Sequence, residues 1–211
     1  MLQSERLLRE DGAGVKVEIS EKEICYDGFF RLERYRLRHE LFAGGMSPEL
    51  IRELFVRGLA VAALLYDPDL DRVVLVEQFR IGALDHPEGA WLLECVAGMV
   101  EEGESVEAVI RREAMEEAGC TVTDTLRLYE YYPAPGGSSE RIALYLARTD
   151  ASRARGIHGL AHEGEDIKVH NITLDEALAH IDDGRIDSSY TIMALQWLAA
   201  NKAQIRAQWH G

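Results

Sequence analysis

The sequence is poor in basic residues. Its 211 residues include 23 Lys and Arg against 37 Asp and Glu, which gives a formal net charge of −14. This excess of negative charge repels nucleic-acid backbones and anionic membranes, and no run of Lys or Arg offsets it. We therefore expect no nucleic-acid or membrane partner. A small anionic substrate would need metal ions and a few well-placed arginines to overcome the repulsion.

Cysteines and long apolar runs are also scarce. Cys25, Cys95 and Cys120 are odd in number, widely spaced and each beside apolar residues, which predicts reduced core thiols instead of a disulfide framework or a zinc site. The longest apolar run, residues 59–66, is too short to span a bilayer, and the N-terminal residues lack the apolar core of a signal peptide. We therefore expect a cytoplasmic protein.

The pattern along the chain divides it into a small unit and a larger domain. Residues 1–14 are predicted to be a loose polar tail, and residues 15–57 alternate charged with apolar groups, as antiparallel strands do. This segment has too few apolar residues for a core of its own, so we expect it to pack against a second copy of the chain. We therefore assign residues 1–57 to a β-rich dimerisation unit and residues 58–211 to a second, larger domain.

The larger domain is predicted to combine strands and helices. Strands are predicted at residues 59–66, 72–79, 91–96, 126–132, 141–147 and 167–172. Helices are predicted at residues 106–118, from the capping-box pair Thr173 and Glu176 to residue 183, and at residues 190–208. Strands in the middle with helices on both sides predict a mixed-sheet α/β/α sandwich.

The first of these helices has an acidic stripe. It is expected to begin after Ser105 as the N-cap and to end at Gly119. Three of its carboxylates fall within about 100° of one another around the helix: Glu113, Glu116 and Glu117. Like charges this close repel, so the stripe must either face water or be neutralised by hard divalent cations. An ordinary solvated face, with Arg112 and Glu116 forming an i,i+4 pair, is the alternative.

The segment from Gly98 to Cys120 resembles the Nudix box, G-x5-E-x7-R-E-U-x-E-E-x-G-U, in which U is apolar. The fixed residues are Gly98, Glu104, Arg112, Glu113, Glu116, Glu117 and Gly119, and Ala114 and Cys120 stand at two of the apolar positions. Enzymes with this motif hydrolyse nucleoside diphosphates linked to another group. The resemblance implies a Nudix-type fold, and it implies that Glu104 and Arg112 form a buried structural pair.

Flanking segments look like the ADP-ribose pyrophosphatase branch of this family; they are residues 52–58, 73–83, 133–141, 156–170 and 192–198. This resemblance implies hydrolysis of ADP-ribose to AMP and ribose 5-phosphate with two or three Mg²⁺ ions, or Mn²⁺. The alternatives are a nucleotide-sugar pyrophosphatase, acting on GDP-mannose or a similar compound, and a non-catalytic ADP-ribose sensor. We expect a homodimer, because the N-terminal strands need burial and Phe29 would complete the pocket of a second copy.

The resemblance also implies roles for individual residues. The metal ligands would be the Ala97 carbonyl, Glu113, Glu117 and Glu165, with Glu116 in or near the same shell, and Glu163 would be the general base. The substrate-binding residues would be Phe29, Arg52, Arg80, Gly98 and Glu140. Each has a simpler alternative: the loop carboxylates as an acidic surface turn, the arginines as surface ion-pair partners, and Phe29 as core of the small unit.

Overall fold

The computed structural model describes residues 3–8 and 14–209. Within them the chain divides into two units, here called unit 1 (Met1–Gly58 and Tyr132–Arg141) and unit 2 (Leu59–Tyr131 and Ile142–Gly211). Unit 1 thus includes a segment that is remote in sequence from its four strands. The boundary after residue 57 and the dimerisation role of the N-terminal unit stay predictions.

Unit 1 is built on a four-stranded antiparallel sheet. Its strands follow chain order: β1 (Gln3–Leu8), β2 (Gly14–Asp27), β3 (Arg31–His39) and β4 (Leu50–Val56). The prediction of an antiparallel β unit is confirmed. The predicted polar tail is wrong for Gln3–Leu8, because this segment pairs with β2, and the other residues of that tail before Gly14 lie outside the described residues. The segment Tyr132–Arg141 joins β4 through a hydrogen bond from Phe55 N to Gly137 O.

The described part of unit 1 has almost no apolar interior. Among its described side chains, which start at residue 15, only Glu33 and Ser47 are buried. Several large apolar side chains are exposed in this unit: Ile24, Tyr26, Phe29, Phe42 and Ile51. Cys25 is exposed too, so the prediction of a core thiol is wrong there, whereas Cys95 and Cys120 are buried and all three are free.

Unit 2 contains an eight-stranded sheet with helices on both faces. Its elements are β5 (Leu59–Asp67), β6 (Arg72–Phe79), β7 (Trp91–Glu94), β8 (Val96–Met99), α1 (Val106–Ala118), β9 (Val122–Tyr131), β10 (Arg141–Thr149), β11 (Gly156–His158), β12 (Ile167–Thr173), α2 (Leu174–Asp182) and α3 (Ser189–Trp209). The sheet order is β11-β12-β6-β5-β10-β9, with β7 on β6 and β8 on β5. Two short 3-10 helices, Ile81–Ala83 and Ala161–Glu163, lie in loops.

Strand alternation explains the two layers of core. Along β5, Val61 and Ala63 pack into the cluster that contains the buried face of α1, and Ala62 and Leu64 pack into the cluster that contains α2 and α3. Because successive side chains of a strand point to opposite faces, one apolar strand serves both layers. The predicted α/β/α sandwich is confirmed.

Capping residues correctly predict both ends of α1 and the start of α2. Ser105 accepts a hydrogen bond from Ala108 N at the start of α1, and Gly119 ends it with a φ of 62° in the left-handed region. The capping box of Thr173 and Glu176 opens α2 as predicted. The predicted strand at residues 91–96 is interrupted between β7 and β8, and the three-residue β11 was not predicted. No described helix is long and apolar enough to cross a membrane.

Candidate active site

Glu117 is the buried carboxylate of α1. It is 3% exposed, accepts a hydrogen bond from Ala97 N at 3.1 Å and lies 3.5 Å from Gln78 Nε2. Burial raises its pKa to about 8; the bond from Ala97 opposes this rise, and the negative charges of Glu113 and Glu165 add to it. The tertiary fold therefore places an acidic group where its charge is poorly compensated.

Glu113 lies directly against the main chain of β8. A Cβ atom at Gly98 would be 1.8 Å from Glu113 Oε1, so any other residue there would displace the carboxylate from its present position. Burial raises the pKa of Glu113 to about 7, partly offset by Arg112 and reinforced by the charges of Glu116 and Glu165. The close approach explains the glycine of the motif.

Glu116 is paired along the helix. Arg112 Nη1 donates to Glu116 Oε2 at 3.1 Å, which is the i,i+4 pair of the alternative interpretation. Arg112 also lies 3.8 Å from Glu104, but these side chains are 41% and 32% exposed. The prediction of a buried Glu104–Arg112 pair is therefore wrong, because both groups remain at the surface and Glu104 also accepts a hydrogen bond from Glu101 N.

The loop after β11 brings further carboxylates towards α1. Gly159 N donates to Glu116 O at 3.1 Å, and Leu160 N donates to Glu165 Oε2 at 2.9 Å. Glu165 is partly buried and raises the pKa values of Glu113 and Glu117. Glu163, at the end of the 3-10 helix, has a side chain that is 56% exposed and lies 3.6 Å from His162. Glu165 is thus held close enough to act on Glu113 and Glu117, and Glu163 is accessible to solvent.

The donor set suits a hard divalent cation. Two carboxylates with raised pKa values, the buried Glu117 and the partly buried Glu113, lie within electrostatic range of Glu165, and the main chain of Ala97 in β8 contacts Glu117 through its N–H. Oxygen ligands of this kind are those that Mg²⁺ and Ca²⁺ prefer, and a cation would favour the ionised forms. Among the described residues, no three His, Cys, Asp or Glu side chains are already arranged as a metal site. The ligand assignments therefore stay predictions.

Arg80 contacts a buried carboxylate that sequence inspection missed. Its Nε donates to Glu94 Oε2 at 2.7 Å, and Tyr190 OH donates to Glu94 Oε1 at 2.6 Å. The positive charge of Arg80 also lowers the pKa of Glu117, so it acts on the same carboxylate cluster. A sequence signal for Glu94 existed: a charged residue inside the apolar stretch at residues 91–96 needs a partner when the strand is buried.

The remaining predicted substrate residues belong to unit 1. Phe29 is 93% exposed, with an edge contact to Phe30, so the alternative of a core phenylalanine is wrong. Arg52 is exposed and donates to the carbonyl of the preceding residue. Glu140 is partly buried and accepts a hydrogen bond from Arg57 Nε at 3.1 Å. Their roles in substrate binding stay predictions.

Several known proteins are similar to this chain over most of its length. The ADP-ribose pyrophosphatase of Escherichia coli (strain K12) is 50% identical over 193 residues, which cover 92% of each chain. That of Haemophilus influenzae is 46% identical over 196 residues, covering 92% of this chain and 90% of the relative. The GDP-mannose pyrophosphatase of Pectobacterium atrosepticum is 38% identical over 181 residues, covering 85% of this chain and 92% of the relative.

A solved structure and a family model agree with the motif. The crystal structure of an ADP compounds hydrolase superposes with a TM-score of 0.66 at 20% identity, covering 87% of this chain and 94% of the other, which supports the fold alone. The NUDIX domain model matches residues 56–195, a segment that contains the acidic stripe of α1 and its partners on β8 and in the loop after β11. This protein therefore belongs to the NUDIX family.

Proposed function

We propose that this protein hydrolyses the diphosphate bond of ADP-ribose, with water as co-substrate and AMP and ribose 5-phosphate as products. The observation that carries the proposal is the 50% identity, over nine-tenths of both chains, to an ADP-ribose pyrophosphatase. The raised pKa values of Glu113 and Glu117 support a metal-assisted hydrolytic role, since a divalent cation would favour their ionised forms and offset their repulsion of an anionic substrate. Retention of all motif carboxylates counts against a non-catalytic sensor.

The metal requirement follows from the same carboxylates. We propose that Glu113, Glu117, Glu165 and the Ala97 carbonyl hold two or three Mg²⁺ ions, with Glu116 in or near the same shell. When bound, such ions neutralise charge that develops on the diphosphate and lower the pKa of a coordinated water. Glu116 Oε2 accepts a hydrogen bond from Arg112 Nη1, and Glu165 Oε2 accepts one from Leu160 N. A carboxylate has two oxygens, so each of these groups can keep its donor while it binds an ion.

Glu163 is the residue that we propose as general base. It would accept the proton of the water that attacks phosphorus, a role that needs a carboxylate with access to solvent and substrate. Its exposed position in the loop after β11 supports this assignment, as does the anchoring of the same loop to α1 through Gly159 N. A loop carboxylate can approach the attacking water when the loop closes on substrate.

We propose that the substrate is held by cationic and aromatic groups. Arg80 would bind diphosphate oxygens, because a guanidinium offers paired donors to anionic oxygens. Arg52 would meet the diphosphate or the terminal ribose, Phe29 would stack on the adenine ring, and Glu140 would contribute a hydrogen-bond acceptor. The main chain at Gly98 would lie beside the substrate and the ions.

The decisive test is hydrolysis of ADP-ribose by the purified full chain, followed by separation of AMP and ribose 5-phosphate. We expect turnover with Mg²⁺, none with EDTA, and recovery on adding Mg²⁺ back. A parallel measurement of kcat/KM on GDP-mannose separates the two substrate classes named among the relatives. A higher kcat/KM on GDP-mannose would reject ADP-ribose as the preferred substrate, and binding without hydrolysis would favour the sensor.

We also propose that the protein is a homodimer. No apolar side chain is buried among residues 15–58, although Phe29, Phe42 and Ile51 are large and exposed there. A sheet normally needs an apolar face packed against another element for stability, and a second copy of the chain can supply it. Light scattering at micromolar concentration should give twice the 23.7 kDa chain mass. A monomer would contradict the proposal.

A further inference from the structure

A short chain of hydrogen bonds links the first turn of α3 to Arg80. Tyr190 OH donates to one oxygen of Glu94, and Arg80 Nε donates to the other, at 2.6 and 2.7 Å. The Glu94 side chain is 5% exposed. A buried carboxylate that loses one of its donors is strongly destabilised, so its orientation depends on both partners.

The bond to Glu94 leaves Arg80 able to bind an anion. Glu94 is hydrogen-bonded to Nε, and neither terminal nitrogen of the guanidinium donates to a carboxylate among the described residues. A guanidinium presents donors on more than one edge, so one edge can be held by the protein while another faces a ligand. Glu94 thus orients the group without occupying its whole donor surface.

The same turn of α3 makes a second, separate contact with this strand region. Thr191 Oγ1 accepts a hydrogen bond from Cys95 N at 3.0 Å, and both residues are buried. Tyr190 and Thr191 therefore hold consecutive residues, Glu94 and Cys95, at the break between β7 and β8. Of these two contacts, that of Tyr190 continues to Arg80, both through Glu94 and by the closeness of its hydroxyl to the guanidinium, so the two can be tested against each other.

We propose that Tyr190 is a positioning residue for substrate binding: through Glu94 it fixes the Arg80 guanidinium in the orientation that receives the diphosphate. The inference rests on the proposed function of this site and adds residues to it. A fixed guanidinium binds the anion without first losing conformational freedom, so its effect appears mainly in the affinity for substrate. Loss of the Tyr190 hydroxyl would let Glu94 rotate and Arg80 move with it.

The kinetic test uses Tyr190→Phe, which removes one hydroxyl and keeps the ring. We expect KM for the substrate to rise about 5- to 20-fold with kcat within about twofold, the pattern for loss of binding shared by ground and transition states. Thr191→Val is the matched control, because it removes a buried hydrogen bond one residue along and should leave KM unchanged. Equal changes in KM for the two variants would overturn the proposal, since a loosened helix turn would then explain both.

A double-mutant cycle tests whether the effect passes through Arg80. In an Arg80→Lys background, the Nε donor is gone and Tyr190→Phe should change KM by less than about twofold. A full additional 5- to 20-fold rise in that background would show that Tyr190 acts by another route and would overturn the proposal.

A spectroscopic measurement keeps the inference separate from the substrate assignment. The Nε–H resonance of Arg80 in ¹⁵N-labelled protein, identified by its loss in Arg80→Lys, reports the bond to Glu94 directly. It should shift and exchange faster with water in Tyr190→Phe, and should be unaltered in Thr191→Val. An unaltered resonance in Tyr190→Phe overturns the positioning role even if the wild type cleaves ADP-ribose. If the wild type cleaves no ADP-ribose but the resonance still shifts in Tyr190→Phe, only the proposed function is rejected.

Discussion

Replacing Gly98 by alanine should test the close contact between β8 and Glu113. The added Cβ would lie 1.8 Å from Glu113 Oε1, 2.4 Å from Cδ and 2.7 Å from Cγ. To restore a carbon–oxygen contact of about 3.5 Å, the carboxylate must move by about 1.7 Å. The atoms that must move are the end of one side chain, so the main chain of β8 can stay in place and the protein should still fold.

Replacing Gly98 by alanine should weaken metal binding more than it lowers the stability of the fold. Overpacking typically lowers the free energy of unfolding by about 1–3 kcal/mol. We expect a reduction of about 1 kcal/mol here, because the flexible Glu113 side chain can move aside. For a chain of this size that lowers Tm by about 2–4 °C. Displacing a metal ligand from its supported position typically costs about 10–100-fold in metal affinity. The Mg²⁺ concentration for half-maximal activity should rise by that factor.

The assay is the initial rate of ADP-ribose hydrolysis as a function of Mg²⁺ concentration, together with Tm from thermal unfolding. Gly82→Ala is the control, because its Cβ would meet no atom within 4 Å and the backbone there has no positive φ. An unchanged Mg²⁺ dependence in Gly98→Ala, with the carboxylate displaced, would refute the ligand role of Glu113. An equal rise in the Mg²⁺ concentration for half-maximal activity in Gly82→Ala would show that the effect is not specific to the contact between residue 98 and Glu113.

Three further predictions follow from individual contacts. Glu163→Gln should lower kcat by about 10²–10⁴-fold with Tm unchanged, because its side chain is exposed, and near wild-type turnover would rule out its role as the base. Burial alone would raise the pKa of Asp71, but hydrogen bonds from Lys202 and Tyr66 hold it below the ordinary value. A carboxylate whose pKa is lower in the folded protein than in the unfolded chain stabilises the fold above its unfolded pKa, and this stabilisation is lost as pH falls through the folded pKa. In urea unfolding between pH 3 and 7, the free energy of unfolding should therefore fall more steeply with decreasing pH in wild type than in Asp71→Asn. Identical slopes would contradict this. Ser105→Ala should lower the free energy of unfolding by about 1 kcal/mol through loss of the N-cap of α1, whereas no change in urea unfolding would contradict the role of the cap.

The short-range features of this protein can be predicted from its sequence. The start and end of α1, with Ser105 and Gly119 at its caps, and the opening of α2 depend on side chains within a few positions of each other. The acidic stripe follows from helical periodicity in the same way. Such features need no knowledge of distant segments, because the interacting groups are neighbours along the chain.

Contacts between distant segments required the folded chain. Periodicity puts Glu113, Glu116 and Glu117 on one stripe, but which one is buried depends on β8 and β6, where Ala97 N and Gln78 Nε2 lie within hydrogen-bond distance of Glu117. The orientation of Arg80 depends on a glutamate 14 residues away and, through it, on a tyrosine a further 96 residues on. Burial is also a property of packed layers: it leaves Cys25 exposed beside apolar neighbours and raises the pKa values of two carboxylates on α1. Residue types and spacing along the chain therefore indicate which chemical groups are available, and the packing of remote strands and helices sets their charge and orientation.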